Sequence, residues 1–386
     1  MRGLLAYAPS LRIGQGVVSM YPIESVEALN AEVTRMVVRA PEIARKIKPG
    51  QFIMLRIDEK GERIPLTMNA ADPEAGTVTI VFQAVGATTM RLATLKAGDA
   101  LLDFVGPLGN PTELEGSRRA CVIGGGLGTA IAYPQAKWLH DHGCEVDVIM
   151  GFRNKDLIIL EDEVAACASR LKVMTDDGSN GNKGVVTEPL KEWIEAGAGY
   201  DLVLAIGPVI MMKFVAQLTR EHGIRTLVSL NPIMIDGTGM CGGCRVKVGD
   251  EYLHACVDGP DFDGHLVDFD DAMRRGVMYR AYEGTARKAM EKQLASEARD
   301  CDKALRAARA DGDAGDDVRG EQLKRTAHIE LGPDMEAKLA AMDPDKAARV
   351  RAALEAKAAR EGAARAAERA EAAGAASSDT YEEEGE

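Results

Sequence analysis

The segment RRACVIGGGLGTAIAYPQAKWLHDHG, from Arg118 to Gly143, constrains the fold most. It reads as an apolar strand, a glycine turn and then a helix. Four further strand-like runs follow: CEVDVIMGFR, SRLKVMTDDG, DLVLAIGP and RTLVSL, with helical stretches between them. Strands alternating with helices predict a parallel sheet covered on both faces. This α/β domain is expected over 115–230. Residues 1–114 have a different rhythm. LRIGQGVVSMYPI, EVTRMVVRA, KPGQFIMLRI, RIPLTMNA and GTVTIVFQAV are short strand candidates separated by turns at Pro49-Gly50 and Asp72-Pro73. They predict a closed or sandwiched β domain.

A chain of 386 residues with 46% hydrophobic content can form two or three such domains. The formal net charge of -13 supplies no basic footprint for nucleic acid. MRGLLAYAP lacks the long apolar core of a signal peptide, and no apolar run reaches membrane-spanning length. A cytoplasmic protein without membrane insertion is expected. From 281 to 386 the composition shifts to Ala, Glu, Lys and Arg, strong helix formers. A helical extension is expected there, ending in a disordered acidic SSDTYEEEGE.

Four of the seven cysteines, Cys121, Cys144, Cys167 and Cys301, stand singly and read as structural side chains. The other three lie in IDGTGMCGGCRVKVGDEYLHACVDGP, in a segment 231–280 expected to form its own module. Cys241, Cys244 and Cys256 have the spacing C-x2-C-x11-C. Gly242 and Gly243 let the backbone curl around a metal and leave amides free for sulfur. Three readings stand: a structural zinc with His254 as fourth ligand, an iron–sulfur cluster, or an inert cysteine group. Asp236, five positions before Cys241, is either a turn residue ahead of Gly237 or an oxygen ligand.

Through LVSLNPIMIDGTGMCGGCRV, the ACVDGP turn and VDFDDAMRRGVMYR, the first 280 residues resemble a known family. They are similar to the electron-transfer subunits of the ferredoxin–NADP reductase superfamily. These include the small subunits of NADH-dependent reduced ferredoxin:NADP+ oxidoreductase, of dihydroorotate dehydrogenase and of sulfide dehydrogenase. The resemblance implies a ferredoxin-reductase-like β-barrel FAD domain, a parallel-sheet nicotinamide domain and a small [2Fe–2S] module. The dihydroorotate version has four cysteines at the cluster, whereas an aspartate stands first in the transhydrogenase subunit. Asp236 falls at that place, so the implied ligands are Asp236, Cys241, Cys244 and Cys256.

The resemblance also assigns the other cofactor residues. Read alone, Arg63 is more often a surface charge and Thr67 an ordinary strand residue. Within the family, Arg63, Pro65, Leu66 and Thr67 match an FAD-binding pattern that lacks the usual stacking tyrosine. Gly86, Ala87, Thr88 and Thr89 would cradle the FAD pyrophosphate, though locally they read as a helix cap. The turn at Gly124, Gly125, Gly126, Gly128 and Thr129 is not a clean G-x-G-x-x-G, because Thr129 holds the sixth position. It is a tight strand–helix turn or a nicotinamide phosphate site. Gly151 and Arg153 would lie at the adenosine ribose, where Arg153 and Lys155 are either 2′-phosphate contacts or solvated charges; Asp177 and Gly178 would lie beside the nicotinamide, and Gly207 and Pro208 along the dinucleotide. NAD(H) is the expected substrate, with NADP(H) less suited to this chain.

The implied activity is that of an NAD(P)H-dependent flavin iron–sulfur oxidoreductase subunit, with the hard chemistry carried by cofactors. Its partner would be a large flavoprotein subunit with FAD, [4Fe–4S] clusters and an NADP(H) site. That complex would handle ferredoxin by electron bifurcation, and the C-terminal helices would be free to dock a further subunit. The rival readings are an electron-transfer subunit of a sulfide, glutamate synthase-like or dihydroorotate enzyme, and a zinc-bearing assembly protein.

Overall fold

The computed structural model describes residues 10–13 and 16–310. The expectations for the first nine residues, the side chain of Cys301, the later Ala-rich stretch and the acidic end lie outside the described residues. One compact unit extends to Ala286 and a second starts at Arg287.

The first unit opens with a hairpin, β1 (Ser10–Ile13) and β2 (Gly16–Ser19). Then come β3 (Tyr21–Ala28), β4 (Val33–Arg39), a helical turn α1 (Pro41–Ala44), β5 (Phe52–Arg56), β6 (Ile64–Asp72) and β7 (Thr77–Gln83). Helix α2 (Ala87–Leu92), β8 (Ala100–Leu101) and β9 (Asp103–Leu108) complete this part. The strands make one antiparallel sheet in the order β8-β3-β4-β7-β6-β5-β9. Its two edge strands are joined through the single residue Leu102, which curls the sheet into a barrel. Ile53, Leu55, Met68, Ile80 and Phe104 fill the interior.

Four consecutive apolar residues in β5 are buried because both faces of that strand are covered. Ile53 and Leu55 face the barrel core, whereas Phe52 and Met54 join the core that contains Cys244 and Cys256.

The next region contains β10 (Arg119–Gly125), α3 (Gly128–Asp141), β11 (Glu145–Phe152), α4 (Glu161–Ala165), β12 (Arg170–Thr175) and α5 (Thr187–Glu195). It continues with β13 (Leu202–Ile206), α6 (Val209–Glu221) and β14 (Thr226–Ser229). These five strands are parallel, in the order β12-β11-β10-β13-β14. Alternate residues serve opposite faces. Cys121, Ile123, Val203 and Ala205 enter one core, and Ala120, Val122, Leu202 and Leu204 enter the other. The chain reverses its direction of progress between β10 and β13, so the switch point lies at their C-terminal ends. Cys121, Cys144 and Cys167 are all buried.

The cysteine segment corrects two expectations. It contains the hairpin β15 (Arg245–Val248) and β16 (Glu251–His254), then β17 (Asp261–Asp263) and α7 (Phe269–Arg275). Strand β17 adds to β14 in antiparallel register, Val228 opposite Phe262, so the sheet is mixed rather than parallel. Nor is the segment a separate body. Cys244, Val246, Ala255, Cys256 and Phe262 share one core with Phe52, Met54, Val228 and Leu230. A segment this short buries too little apolar surface by itself and must borrow a core. Helix α8 (Arg280–Ala310) begins the expected helical extension. No helix among the described residues is long and apolar enough to cross a membrane.

Candidate redox and dinucleotide sites

Arg63 lies just before β6, in which Pro65 pairs with Met54, Leu66 with Ile53 and Thr67 with Phe52. Its guanidinium is half exposed and meets Asp103 at 3.3 Å, while Arg56 binds the same carboxylate oxygen at 2.7 Å. Arg63 therefore keeps donors for an anion. Helix α2 lies alongside, since the Thr88 hydroxyl donates to Glu62 at 3.3 Å. Thr89 Oγ1 accepts from the Gly86 amide at 3.0 Å and from the Val85 amide at 3.2 Å. That closes the turn and leaves the amides of Ala87, Thr88 and Thr89 without intrahelical acceptors. The structure thus brings the Arg63–Thr67 and Gly86–Thr89 segments together.

The glycine turn separates into packing positions and one open position. A Cβ on Gly124 would stand 2.7 Å from Thr129 Cα, one on Gly125 2.6 Å from Met211 Sδ, and one on Gly128 2.3 Å from the Ile206 carbonyl. A Cβ on Gly207 would meet the Gly125 backbone at 2.9 Å, and one on Gly151 would meet Val186 at 2.5 Å. These glycines let protein pack on protein. Gly126 alone in the turn has φ +56°, and a Cβ there would meet nothing within 4 Å. It is the place where a ligand can approach the backbone before α3. Pro208, next to Gly207, caps α6. Thr129 is buried, and its hydroxyl lacks a partner.

Arg153 follows β11 and is 71% exposed, with Nη2 3.9 Å from Glu32 of the barrel. Asp177 accepts from the Ser179 amide at 2.9 Å, and this hydrogen bonding to Ser179 holds its carboxyl below the ordinary aspartate range. Gly178 turns the same loop with φ +75°.

In the cysteine segment, Gly237, Gly239 and Gly242 all have positive φ. Asp236 uses both carboxylate oxygens on this loop, accepting from the amides of Thr238 and Cys241 at 2.8 Å each. The Thr238 amide is the chief cause of its lowered pKa. Cys244 and Cys256 are buried with sulfurs 3.2 Å apart, longer than a disulfide. Burial, with Cys244 alongside, pushes the Cys256 thiol up to about 12. Cys241 is exposed, and its sulfur accepts from the Gly243 amide at 3.4 Å. His254 is engaged by Asp258, which takes its amide at 2.7 Å. Among the described residues no preformed group of three or more metal-binding side chains occurs. The donors nevertheless suit a cluster: free thiols on the glycine-rich loop and just after β16, an ionised carboxylate and a sulfur-directed amide. A cleft of about 210 Å³ opens beside Cys241, bordered by Ile235, Arg245, Arg275 and Tyr279. A larger one of about 360 Å³, beside Trp138 and Cys144, lies at the N-terminal ends of the strands, away from the switch point.

The three regions converge on the pair β5–β6. A Cβ on Gly237 would meet Met54 of β5 at 2.8 Å. Asn69 of β6, two positions after Thr67, donates to the Ala130 carbonyl of α3 at 2.7 Å. Asn69 and Met54 fall inside strand-like stretches of sequence, but nothing in their sequence context assigns either one a junction.

Residues 231–268 match the family model for the iron-sulfur cluster binding domain of dihydroorotate dehydrogenase B. The chain is 53% identical over 280 residues to a Clostridium beijerinckii protein named for its position 3′ of adh, covering 70% of this chain and 95% of that one. It is 46% identical over 246 residues to a Thermotoga maritima homologue of the dihydroorotate dehydrogenase B (NAD(+)) electron transfer subunit, covering 64% and 86%. Among solved structures, it resembles a chain of the NADH-dependent reduced ferredoxin-NADP oxidoreductase, studied for flavin-based electron bifurcation. The TM-score is 0.67 at 41% identity, over 72% of this chain and 98% of that chain.

Proposed function

Because this chain belongs to the family of dihydroorotate dehydrogenase B electron-transfer subunits, of ferredoxin–NADP(H) reductase type, we propose that it relays electrons between NAD(H) and a larger flavoprotein partner. The observation that carries this reading is the convergence of the Arg63–Thr67 strand, the Gly126 turn and the cysteine loop on β5–β6. A relay needs its carriers adjacent, and these elements share one packed junction.

Arg63 and the α2 amides of Ala87, Thr88 and Thr89 would hold the FAD pyrophosphate, with Pro65, Leu66 and Thr67 along the flavin. Gly126 would admit the nicotinamide phosphates, while Gly207 and Pro208 border that opening. Asp236, Cys241, Cys244 and Cys256 would hold a [2Fe–2S] cluster. Bound flavin supplies exchange between two-electron nicotinamide chemistry and single-electron transfer to an iron–sulfur centre. The protein's own residues bind, orient and exclude water. Ile235, Met240 and Val257 are exposed near the cysteine loop, Met240 to 90%. Such an apolar rim suits a partner subunit. The proposed partner carries FAD, [4Fe–4S] clusters and an NADP(H) site, and the complex reversibly couples oxidation of NADH and reduced ferredoxin to reduction of NADP+, with electron bifurcation as the reverse direction.

A second reading, service to a dihydroorotate dehydrogenase, has the family match over 231–268 in its favour. Asp236 in place of a cysteine favours the first. Anaerobic purification with the co-purifying subunit identified decides between them. About one FAD and two irons per chain with a bifurcating-type flavoprotein supports the proposal. Zinc without flavin overturns it, and a dihydroorotate dehydrogenase partner selects the alternative.

A further inference from the structure

In doubly wound dinucleotide folds, the strand next to the glycine-turn strand ends in an acid that takes the adenosine ribose hydroxyls, or an arginine nearby accepts a 2′-phosphate. Here that strand is β11, paired with β10 through Gly125 and Gly151. Its end reads Gly151, Phe152, Arg153, Asn154, Lys155, without an acid. The charges at the strand end itself are the cations Arg153 and Lys155, while Asp176 and Asp177 of the next loop donate their amides to the Phe152 and Arg153 carbonyls at 2.9 and 3.3 Å.

The carboxylate that meets the Arg153 guanidinium comes from the other domain. Glu32 lies in the β3–β4 connection of the barrel, with Oε2 3.9 Å from Arg153 Nη2. The same oxygen accepts from Gln83 Nε2 at 2.8 Å. The connection is a fixed platform. Asn30 Oδ1 accepts from the amides of Glu32 and Val33 at 2.9 Å each, and Asn30 Nδ2 donates to the Leu157 carbonyl at 3.4 Å. Val33 is buried in the same core as Met150 and Phe152 of β11.

We infer that Glu32 is a specificity-determining residue, a barrel carboxylate that occupies Arg153 and selects NAD(H) over NADP(H). This rests on the proposed dinucleotide site. An ionised carboxylate accepts from a ribose diol but repels a 2′-phosphate. It also competes with that phosphate for Arg153, a cation at the strand end. Neither sequence segment contains this selectivity by itself.

The test is calorimetric titration of NAD+ and NADP+ into the full chain, as wild type, Glu32→Gln and Glu32→Gln/Arg153→Ala. Glu32→Gln retains the shape and the Gln83 contact. Wild type is expected to favour NAD+. Glu32→Gln should shift the affinity ratio toward NADP+ by about tenfold, the scale of one charge-assisted contact. Adding Arg153→Ala should remove that gain. NAD+ binding with an unchanged ratio in Glu32→Gln overturns the role of Glu32 and leaves the dinucleotide site standing. Failure of wild type to bind either nucleotide overturns the site and this inference with it.

Discussion

Asn69 of the barrel donates its amide to the carbonyl of Ala130, 2.7 Å away and buried. The reason lies four residues further along α3. Pro134 sits inside that helix and has no N–H, so it leaves the Ala130 carbonyl without its helical donor. A barrel side chain replaces the missing bond and ties β6 to the helix after the glycine turn.

Asn69→Ala should therefore cost about 1–3 kcal/mol, because it leaves a buried acceptor unsatisfied. In the Pro134→Ala background the backbone can supply the donor, and the same substitution should cost less. Chemical denaturation of the four-member cycle measures the coupling. Additive losses would show that the two residues act independently.

The glycines of the turn should divide by function. Gly128→Ala drives a methyl against the Ile206 carbonyl and should lower stability by about 2–4 kcal/mol. Gly126→Ala meets open space and only the left-handed backbone penalty, about 1 kcal/mol. Its effect should fall on nucleotide binding. Melting temperature and NAD+ affinity, measured on both variants, separate the outcomes.

Cys256→Ser and Cys244→Ser should each abolish iron incorporation, read as iron and acid-labile sulfide per chain. Asp236→Cys should keep iron but change the spectrum of the reduced centre, since thiolate is softer than carboxylate. An unchanged spectrum would reduce Asp236 to the staple for the Thr238 and Cys241 amides already seen.

Asp261 predicts a pH dependence. Burial raises its pKa to about 6, against hydrogen bonds from Ser229 and Thr112, and its Oδ1 has no partner. The folded state then holds a proton that the unfolded chain has lost, between about pH 4 and 6. Stability from this group falls as pH rises through that window and levels off above it. Asp236 and Asp268, whose pKa values are lowered, act in the opposite sense below that window. Asp261→Asn should flatten the decline and add about 1–2 kcal/mol at pH 7. Urea unfolding at pH 4.5 and 7.5 checks it; an equal gain at both values would contradict the titration.

Local pattern was enough to read the five parallel strands, the strand–turn–helix at Gly124–Thr129, the main barrel strands and the cysteine spacing. Each of these depends on residues close in sequence, through period, turn chemistry or ligand spacing. Tertiary structure alone decided the rest. Phe262 became a sheet strand because β14 had an open edge, although DFD has little strand character by itself. Gly124 and Gly128 proved to be packing glycines because α3 and the Ile206 carbonyl press on them. Glu32 meets Arg153, and Asn69 meets Ala130, across long separations in the chain. Such pairings depend on how two packed bodies meet, and no local periodicity records that.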